Sequence, residues 1–510
     1  GKMEYMIESS LTVHDDILQK ELSANADDKM KNIVTTIQRE QNRIIRNEEA
    51  PVLIIQGVAG SGKTSIALHR IAYLLYAQKG DISSKDILIV SPNKVFADYI
   101  SNVLPELGEE TVPETSMEQI LSGILDNKYK YRNFFEQVTE LLDKPAPDFI
   151  ERIRYKASFE FISRLDKFIL HVENTYFKAT DVQLTRLVTI PAELIEEQFR
   201  RFNRYPMRQR FETMTDYILD MMKVKYGFTV TAAERSLLKK EIQKMFTGNN
   251  DLQVYKDFFE WSGQPDMFKT RKNHTLEYAD LAPLAYLHMA LDGNTARHRV
   301  KHLLIDEMQD YSYLQYVVLS RLFSCRMTIL GDRAQTLDSQ MQDVLTFLPK
   351  IFGRTIRKII MNKSYRNTIE IAEYAAKFTG EKDLEYLERH GKPVTEKTFD
   401  SDEKLLNELI READAGMDKY ETAAVLTETM DEAYTMTRML SNRGLPVNCI
   451  DRDSSTFEKG VTVTTFYMAK GLEFDQVFGV FPKKENPMTG QAKYICATRA
   501  LHELYMYERA

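Results

Sequence analysis

Cysteine is scarce. Cys325, Cys449 and Cys496 are the only three in 510 residues, and no two form a C-x-x-C. That excludes a disulfide framework and a zinc knuckle and points to a reducing compartment. No charge-free apolar run approaches the ~18 residues of a membrane span, and the acidic, mixed start is no signal peptide. A cytoplasmic protein without membrane contact is expected. The nine histidines show no H-E-x-x-H or other metal spacing. Positive charge is not in excess: 68 Lys and Arg face 75 Asp and Glu, a net charge of −7. Unspecific attraction to phosphate backbones is therefore excluded as a way of life, and any nucleic-acid contact must be local. Repeats and low-complexity tracts are missing as well. What remains is ordinary globular material, 43% apolar and 28% charged, enough for about three domains. The start, Gly1-Lys2-Met3, does not read as a natural initiator, and Glu4 to Arg46 is polar and helical in pattern without a core. A fragment lacking its native N-terminal part is expected.

Val52-Leu53-Ile54-Ile55 is a short apolar run ending in Gly57, which reads as a buried parallel strand. Helical spacing follows from Ile66 to Tyr76, then a second strand at Ile87 to Val90 and a helix from Asn93 to Leu104. The pattern returns at Leu303 to Ile305 and Met327 to Leu330, and again at Ile356 to Met361, Ala423 to Leu426, Val461 to Thr465 and Val477 to Val480. Strands alternating with helices predict an α/β fold with parallel sheets. Between about 111 and 275 helical periodicity dominates, Trp261 is the single tryptophan, and acidic and basic residues balance at 26 each over 111–280. The expected organisation is a first α/β domain over 1–110 and 276–345, a helical insertion over 111–275, and a second α/β domain over 346–510.

Gly57-Val-Ala-Gly60-Ser61-Gly62-Lys63-Thr64 matches G-x-x-x-x-G-K-[ST] between a strand and a helix. Glycines let backbone N–H groups curl around a β-phosphate, Lys63 would reach the β- and γ-phosphates, and the Thr64 hydroxyl would hold Mg²⁺. This spacing predicts a nucleoside triphosphate site. Asp306-Glu307, ending an apolar strand, supplies the partner: Asp306 on magnesium and Glu307 to orient or deprotonate the attacking water. An acidic pair after a strand is by itself often a solvated turn; beside the phosphate loop it reads as hydrolytic.

The family-specific residues are Asp306-Glu-Met-Gln-Asp310, Leu330-Gly-Asp-Arg-Ala-Gln335, Lys363-Ser-Tyr365-Arg366-Asn, Met468-Ala-Lys-Gly471-Leu-Glu473-Phe and Ala497-Thr498-Arg499-Ala500. In that order the chain resembles the UvrD/Rep class of superfamily-1 helicases. Within that class it is most similar to the HelD-like, helicase-IV-like ATPases that associate with bacterial RNA polymerase, above all at Thr36-Ile-Gln-Arg-Glu-Gln41 and Ala67-Leu-His-Arg-Ile-Ala-Tyr73. The resemblance implies two RecA-like P-loop domains with parallel sheets, the helical insertion lying in the first. It also implies that Gln41 reads the adenine edge, with Gln38 as the fallback. Tyr365 would stack on the base and Glu473 meet the ribose, with Gly471 in the same motif. Gln335 would sense the γ-phosphate. Arg366 and Arg499, from the second domain, would be arginine fingers, each worth ~10³–10⁵ in rate.

The chain departs from a UvrD-type unwinding enzyme in several places. Thr336-Leu337-Asp338 lacks the expected aromatic pair, and Ser91-Pro92-Asn93-Lys94 lacks the usual phenylalanine. Tyr467 occupies a position where histidine is usual, and Ser65 one where arginine is usual. Each base-stacking position lost removes ~1–3 kcal/mol of strand grip. Asn367 to Gly460 is too short for the large accessory domain of the class, and the stretch from Gly479 to Tyr494 is short as well. In HelD-like proteins the insertion helps engage RNA polymerase, and a separate N-terminal coiled coil enters its secondary channel; such an element would precede residue 1.

The densest basic stretch, Phe199-Arg-Arg-Phe-Asn-Arg204-Tyr-Pro-Met-Arg208-Gln-Arg210-Phe211, has two readings. It is a surface for phosphate backbones or an acidic protein channel, or a helix pair with solvated arginines and core aromatics. Flanking Glu196, Glu197 and Glu212 favour the second. Lys269-Thr-Arg-Lys272 reads as a solvated loop. Three functions are expected to compete: an ATPase that remodels RNA polymerase, a translocase or helicase on single-stranded or duplex DNA, and a protein that holds ATP as a clasp. The intact hydrolytic groups disfavour the clasp.

Overall fold

The computed structural model describes residues 39–92, 110–143, 146–227, 231–293, 299–336, 343–353, 356–379, 385–387, 389–451, 454, 458–484, 486 and 488–509. The lead-in before residue 39 with Gln38, the helix expected over Asn93 to Leu104, and Leu337 and Asp338 lie outside them.

Along the chain, β1 (Val52–Gly57), β2 (Ile87–Val90) and β3 (Glu114–Thr115) come first. The small hairpin of β4 (Val182–Gln183) and β5 (Thr189–Ile190) lies in the insertion, and β6 (His302–Ile305), β7 (Arg326–Gly331) and β8 (Ile356–Met361) follow. Six of these form one parallel sheet in the order β3-β2-β6-β7-β1-β8. β1 is buried along its whole length because both faces are covered. Leu53 and Ile55 pack with Ile66, Ala67 and Ile71 of α1 (Lys63–Ala77), and Val52 and Ile54 face the cluster holding Leu303 and Met327. This two-residue alternation is what a doubly covered parallel strand requires.

A second parallel sheet follows, after a two-stranded pair of β9 (Lys363–Ser364) and β10 (Glu385–Tyr386). Its strands are β11 (Thr395–Phe399), β12 (Thr422–Thr427), β13 (Val447–Cys449), β14 (Gly460–Thr465), β15 (Phe474–Pro482) and β16 (Ala500–Arg509), in the order β11-β16-β15-β12-β14-β13. The fold is thus α/β with two RecA-like parallel sheets and many helices, as expected.

One boundary needs correction. Ile356–Met361, expected with the second domain, is the edge strand of the first sheet and pairs with β1 from Val52↔Ile356 to Gly57↔Met361. Its alternating half-exposed residues suit an edge rather than a centre. The passage to the second sheet therefore falls after Met361 rather than at 346.

The insertion is helical, and helix Tyr278–Asp292 joins it to the first sheet's cluster. Eleven of its fifteen residues are buried, which is why its sequence is apolar all round. At its N-terminal end a buried charge network closes: Arg152 and Lys156 meet Glu277 at 2.7 and 3.3 Å, and Lys156 meets Asp280 at 2.6 Å. Helix Phe134–Asp143 is different. Val138 packs into the core of the second sheet, Phe135 stacks on Tyr467 at 6.0 Å, and the hydroxyls of Thr139 and Tyr467 are 2.9 Å apart. An element placed by sequence in the insertion thus touches the second domain. Among the described residues no helix is long and apolar enough to cross a membrane.

Candidate nucleotide site between the two sheets

The chemistry-bearing residues gather where strands of the first sheet end. The phosphate loop follows β1, Asp306 and Glu307 follow β6, and Asp332 and Gln335 follow β7. The C-terminal edge of a parallel sheet is where such folds bind ligands. Register brings them level, since Gln56 pairs with Gly331 and Asp306 N–H donates to Val90 O at 3.0 Å.

Gly60 and Gly62 have φ of +70° and +74°, a left-handed turn that leads directly into α1. The loop is also tight. A Cβ on Gly57 would lie 2.5 Å from Ser61 Oγ, and one on Gly62 would lie 1.8 Å from the Tyr365 hydroxyl. Ser61 Oγ donates to Val58 O at 2.7 Å, and Lys63 Nζ donates to Gly57 O and Val58 O, both at 2.9 Å. Burial lowers the Lys63 pKa, opposed by Asp332, Glu307 and Asp306 and reinforced by Arg499. One ammonium thus has Asp332, Glu307, Asp306 and Arg499 of the second domain as electrostatic neighbours. Thr64 follows in the first turn of α1.

The backbone N–H groups of Tyr365 and Arg366 donate to Gly60 O at 3.1 and 3.3 Å, locking that motif onto the loop. Gln41 Nε2 donates to the Tyr365 hydroxyl at 2.8 Å, and both line a cavity of about 380 Å³ with Arg43, Ile44, Ser61 and Lys363. Gln41 is buried, and its Oε1 has no hydrogen-bond partner among the described residues. An acceptor orphaned in a cavity of this size suits an adenine amino group, so these residues fit the base. Arg70 fixes the segment: its guanidinium donates to the carbonyls of Ile44, Ile45 and Asn47 and to Thr328 Oγ1 on β7.

Asp306 is buried, and burial and the Glu307 carboxylate push its pKa up to about 7. A divalent cation would reverse that shift, so a buried carboxylate at this strand end, with the Lys63 ammonium and the Glu307 carboxylate as its neighbours, fits Mg²⁺. Glu307 has φ +51°, outside the range favoured by residues with side chains.

Across the cleft the second sheet contributes one helix, Thr489–Arg499. Arg499 Nη2 donates to Gln335 Oε1 at 3.2 Å, and its Nη1 donates to Leu472 O at 3.2 Å beside Gly471, itself left-handed at φ +81°. Tyr494 Oη donates to Asp332 Oδ2 at 3.1 Å. Arg366 and Glu473 lie together. Arg366 Nη1 pairs with both Glu473 oxygens, at 2.8 and 2.7 Å.

The family reading now has its decisive support. The UvrD/REP helicase N-terminal domain matches residues 37–337, more than half of the chain, from just before Gln41 to just beyond Gln335. The chain belongs to the UvrD/REP helicase family. The chain is 20% identical over 482 residues to a probable DNA helicase II homolog of Mycoplasma capricolum, covering 89% of this chain and 58% of that protein. It is 22% identical over 344 residues to the ATP-dependent DNA helicase Rep of Buchnera aphidicola, 66% of this chain and 42% of that one. Over 82 residues it is 40% identical to the ATP-dependent DNA helicase PcrA of Staphylococcus epidermidis, 16% and 11% of the two chains. This UvrD/REP-family chain thus spans about half the length of the helicase II homolog and the Rep helicase that it matches over most of its own length.

Sequence reasoning gave no role to four residues of the quoted motifs. Asp310 is paired with Lys470 of the second domain, and Gln309 and Asp332 are bonded to each other. Their position inside the motifs was the available signal. Tyr494 lies outside the motifs and carried none. The basic stretch resolves toward the packed reading. Phe199 and Phe211 are buried and stack with Phe177, Arg210 pairs with Glu173 at 2.7 Å, and Arg208 pairs with Asp251 at 2.6 Å and with Asp292. Arg200 is exposed beside Glu196, and Arg204 is exposed.

Proposed function

We propose that this chain is an ATP-hydrolysing motor in which closure of two RecA-like domains drives movement on nucleic acid. The observation that carries it is the contact of Arg499, from the second domain, with Gln335 of the first. In this reading Gln41 and Tyr365 hold the base. The loop from Gly57 through Gly60, Ser61 and Gly62 to Lys63 cradles the phosphates. Mg²⁺, held by Thr64 and Asp306, would neutralise charge on the β- and γ-phosphates. Glu307 takes the proton of a water whose oxygen attacks the γ-phosphorus. The bond to the β–γ bridging oxygen breaks, leaving ADP and inorganic phosphate. Arg499 stabilises the charge that develops, a contribution of ~10³–10⁵ in rate for such a finger. Gln335, held between Asp332 and Arg499, reports loss of the γ-phosphate to both domains. Arg366 acts as a second finger once it exchanges Glu473 for phosphate, which frees Glu473 for the ribose. DNA is the expected track, since the relatives matched are named DNA helicases. The domain division that goes with this reading is 1–110 and 276–362 for the first motor domain, with the insertion between, and 363–510 for the second.

A second reading, a HelD-like ATPase that remodels RNA polymerase, is supported by Tyr467. That position is buried against Phe135 and Thr139 of the insertion, a packing that favours coupling of the motor to the insertion over stacking on a base. Steady-state ATP hydrolysis without and with single-stranded DNA, with Lys63→Ala as control, separates the two. Strong stimulation by DNA favours the translocase. Hydrolysis indifferent to DNA favours a protein trigger, with RNA polymerase the next addition. A rate no higher than that of Lys63→Ala would overturn both.

A further inference from the structure

Glu307 does not stand alone. Gln309 Nε2 donates to Glu307 Oε2 at 2.5 Å, while Gln309 Oε1 accepts the backbone N–H of Asp332 at 3.0 Å. The Gln309 side chain is buried, so neither bond competes freely with water. A glycine keeps its path open. A Cβ on Gly331 would lie 2.4 Å from Gln309 Oε1 and 2.8 Å from the Met308 backbone nitrogen, too close for any other residue without displacing that turn. Gly331 is not in the left-handed region, so the space, rather than the backbone angle, demands glycine.

Asp332 is in turn held from the second domain. Its Oδ2 accepts from Gln335 Nε2 at 3.0 Å and from the Tyr494 hydroxyl at 3.1 Å, and Tyr494 shares helix Thr489–Arg499 with the finger. A hydrogen-bonded path therefore runs from Tyr494 through Asp332 and Gln309 to Glu307. Three of its members lie within residues 307–332, and the path crosses the cleft once, at Tyr494, 162 residues beyond Asp332.

We infer that Gln309 is a positioning residue: it ties the Glu307 carboxylate to the Asp332 turn, and so makes the alignment of the water-activating acid depend on how helix Thr489–Arg499 is docked. The inference rests on the hydrolytic reading above. Two facts make glutamine the residue that can do this. Its amide offers a donor to the carboxylate and an acceptor to the backbone N–H at once, which a carboxylate or an apolar side chain cannot. Hydrogen bonds to a charged group are also the shorter and more directional kind.

The test measures kcat, KM for ATP, affinity for a fluorescent ATP analogue and the thermal midpoint for Gln309→Leu and Gln309→Glu. Both are made in the unaltered chain and in a Glu307→Gln background. Gln309→Glu keeps the size and the acceptor for Asp332 N–H and removes the donor, so it serves should Gln309→Leu fail to fold. The expected result is a fall in kcat of roughly 10- to 100-fold with KM and analogue affinity within about twofold, the scale of a misplaced reacting group. In the Glu307→Gln background the same changes should alter the residual rate less than about twofold, because a residue acting through Glu307 has nothing left to position. An equal fold-loss in both backgrounds, or unchanged kcat in a folded Gln309 variant, would overturn the inference while leaving the hydrolytic reading intact. A wild-type rate no higher than that of Lys63→Ala would remove both together.

Discussion

The ammonium of Lys470 lies 2.7 and 3.0 Å from the two carboxylate oxygens of Asp310, although 160 residues separate them and each belongs to a different domain. Both side chains are almost fully buried. Asp310 closes the motif that contains Asp306 and Glu307, and Lys470 precedes Gly471 and Glu473. One ion pair thus fastens the hydrolytic strand end to the second domain.

Breaking a buried pair from one side costs about 3–5 kcal/mol. Lys470→Met and Asp310→Asn should each lower stability by that order in urea unfolding. The double substitution should be less destabilising than the two single losses added. Additive losses would mean that the two groups do not interact in solution.

The acid limb of stability should carry the signature of His302. This residue sits in β6 with Nε2 3.0 Å from Thr328 Oγ1, and burial, followed by Arg70 and Arg326, lowers its pKa from 6.5 to about 3. A base with a depressed folded pKa adds stability above its unfolded pKa and loses it as pH falls toward the folded value. Between pH 6.5 and 3 the unfolded chain binds the extra proton, so stability should fall on acidification by up to about 1.4 kcal/mol per pH unit from this group. Urea unfolding at several pH values checks it: His302→Gln should flatten the dependence between pH 6.5 and 4, and an unchanged slope would place its origin elsewhere.

The arginines of the basic stretch should divide by their packing. Arg210 stacks over Phe199 at 4.9 Å and pairs with Glu173, so Arg210→Ala should cost about 2–3 kcal/mol. Arg200→Ala and Arg204→Ala, both at exposed positions, should stay within about 0.5 kcal/mol. Thermal unfolding distinguishes them, and equal effects would contradict the packing described.

The contrast explains what could be read in advance. β1, β2, β6 and β7 are short apolar runs, β1, β6 and β7 closed by a glycine or an acid and β2 by Ser91-Pro92, and burial on both faces leaves that mark in the sequence itself. The phosphate loop is legible because a left-handed turn around phosphate admits little but glycine at Gly60 and Gly62. Sheet membership is not local information. Ile356–Met361 reads as a strand, yet only its pairing with β1 assigns it to the first sheet. β3 is two polar residues, Glu114–Thr115, and has no pattern to find. Helix Phe134–Asp143 is amphipathic like its neighbours, and nothing in its spacing says that its apolar face meets Tyr467 and the second core. The resemblance relates Arg366 and Glu473 only to a bound nucleotide, and their mutual pairing comes from opposite charges brought together by the fold.

Tyr467 offers a test of the link between insertion and motor. Tyr467→Phe removes the hydroxyl that meets Thr139, at about 0.5–1.5 kcal/mol, and Phe135→Ala removes the stacking partner as well. If the insertion is linked to the motor there, Phe135→Ala should uncouple hydrolysis from its macromolecular stimulator while basal hydrolysis persists. Stimulation undiminished in Phe135→Ala would assign that contact to packing alone.

The most direct test of the central claim compares ATP hydrolysis and ATP binding in the unaltered chain and in Arg499→Ala. The account predicts nearly unchanged nucleotide affinity and a fall in hydrolysis of about 10³-fold or more, because the second domain supplies its charge at the transition state. Hydrolysis by Arg499→Ala at the unaltered rate would contradict it: the contact between Arg499 and Gln335 would then be structural, and the two domains would not share one active site.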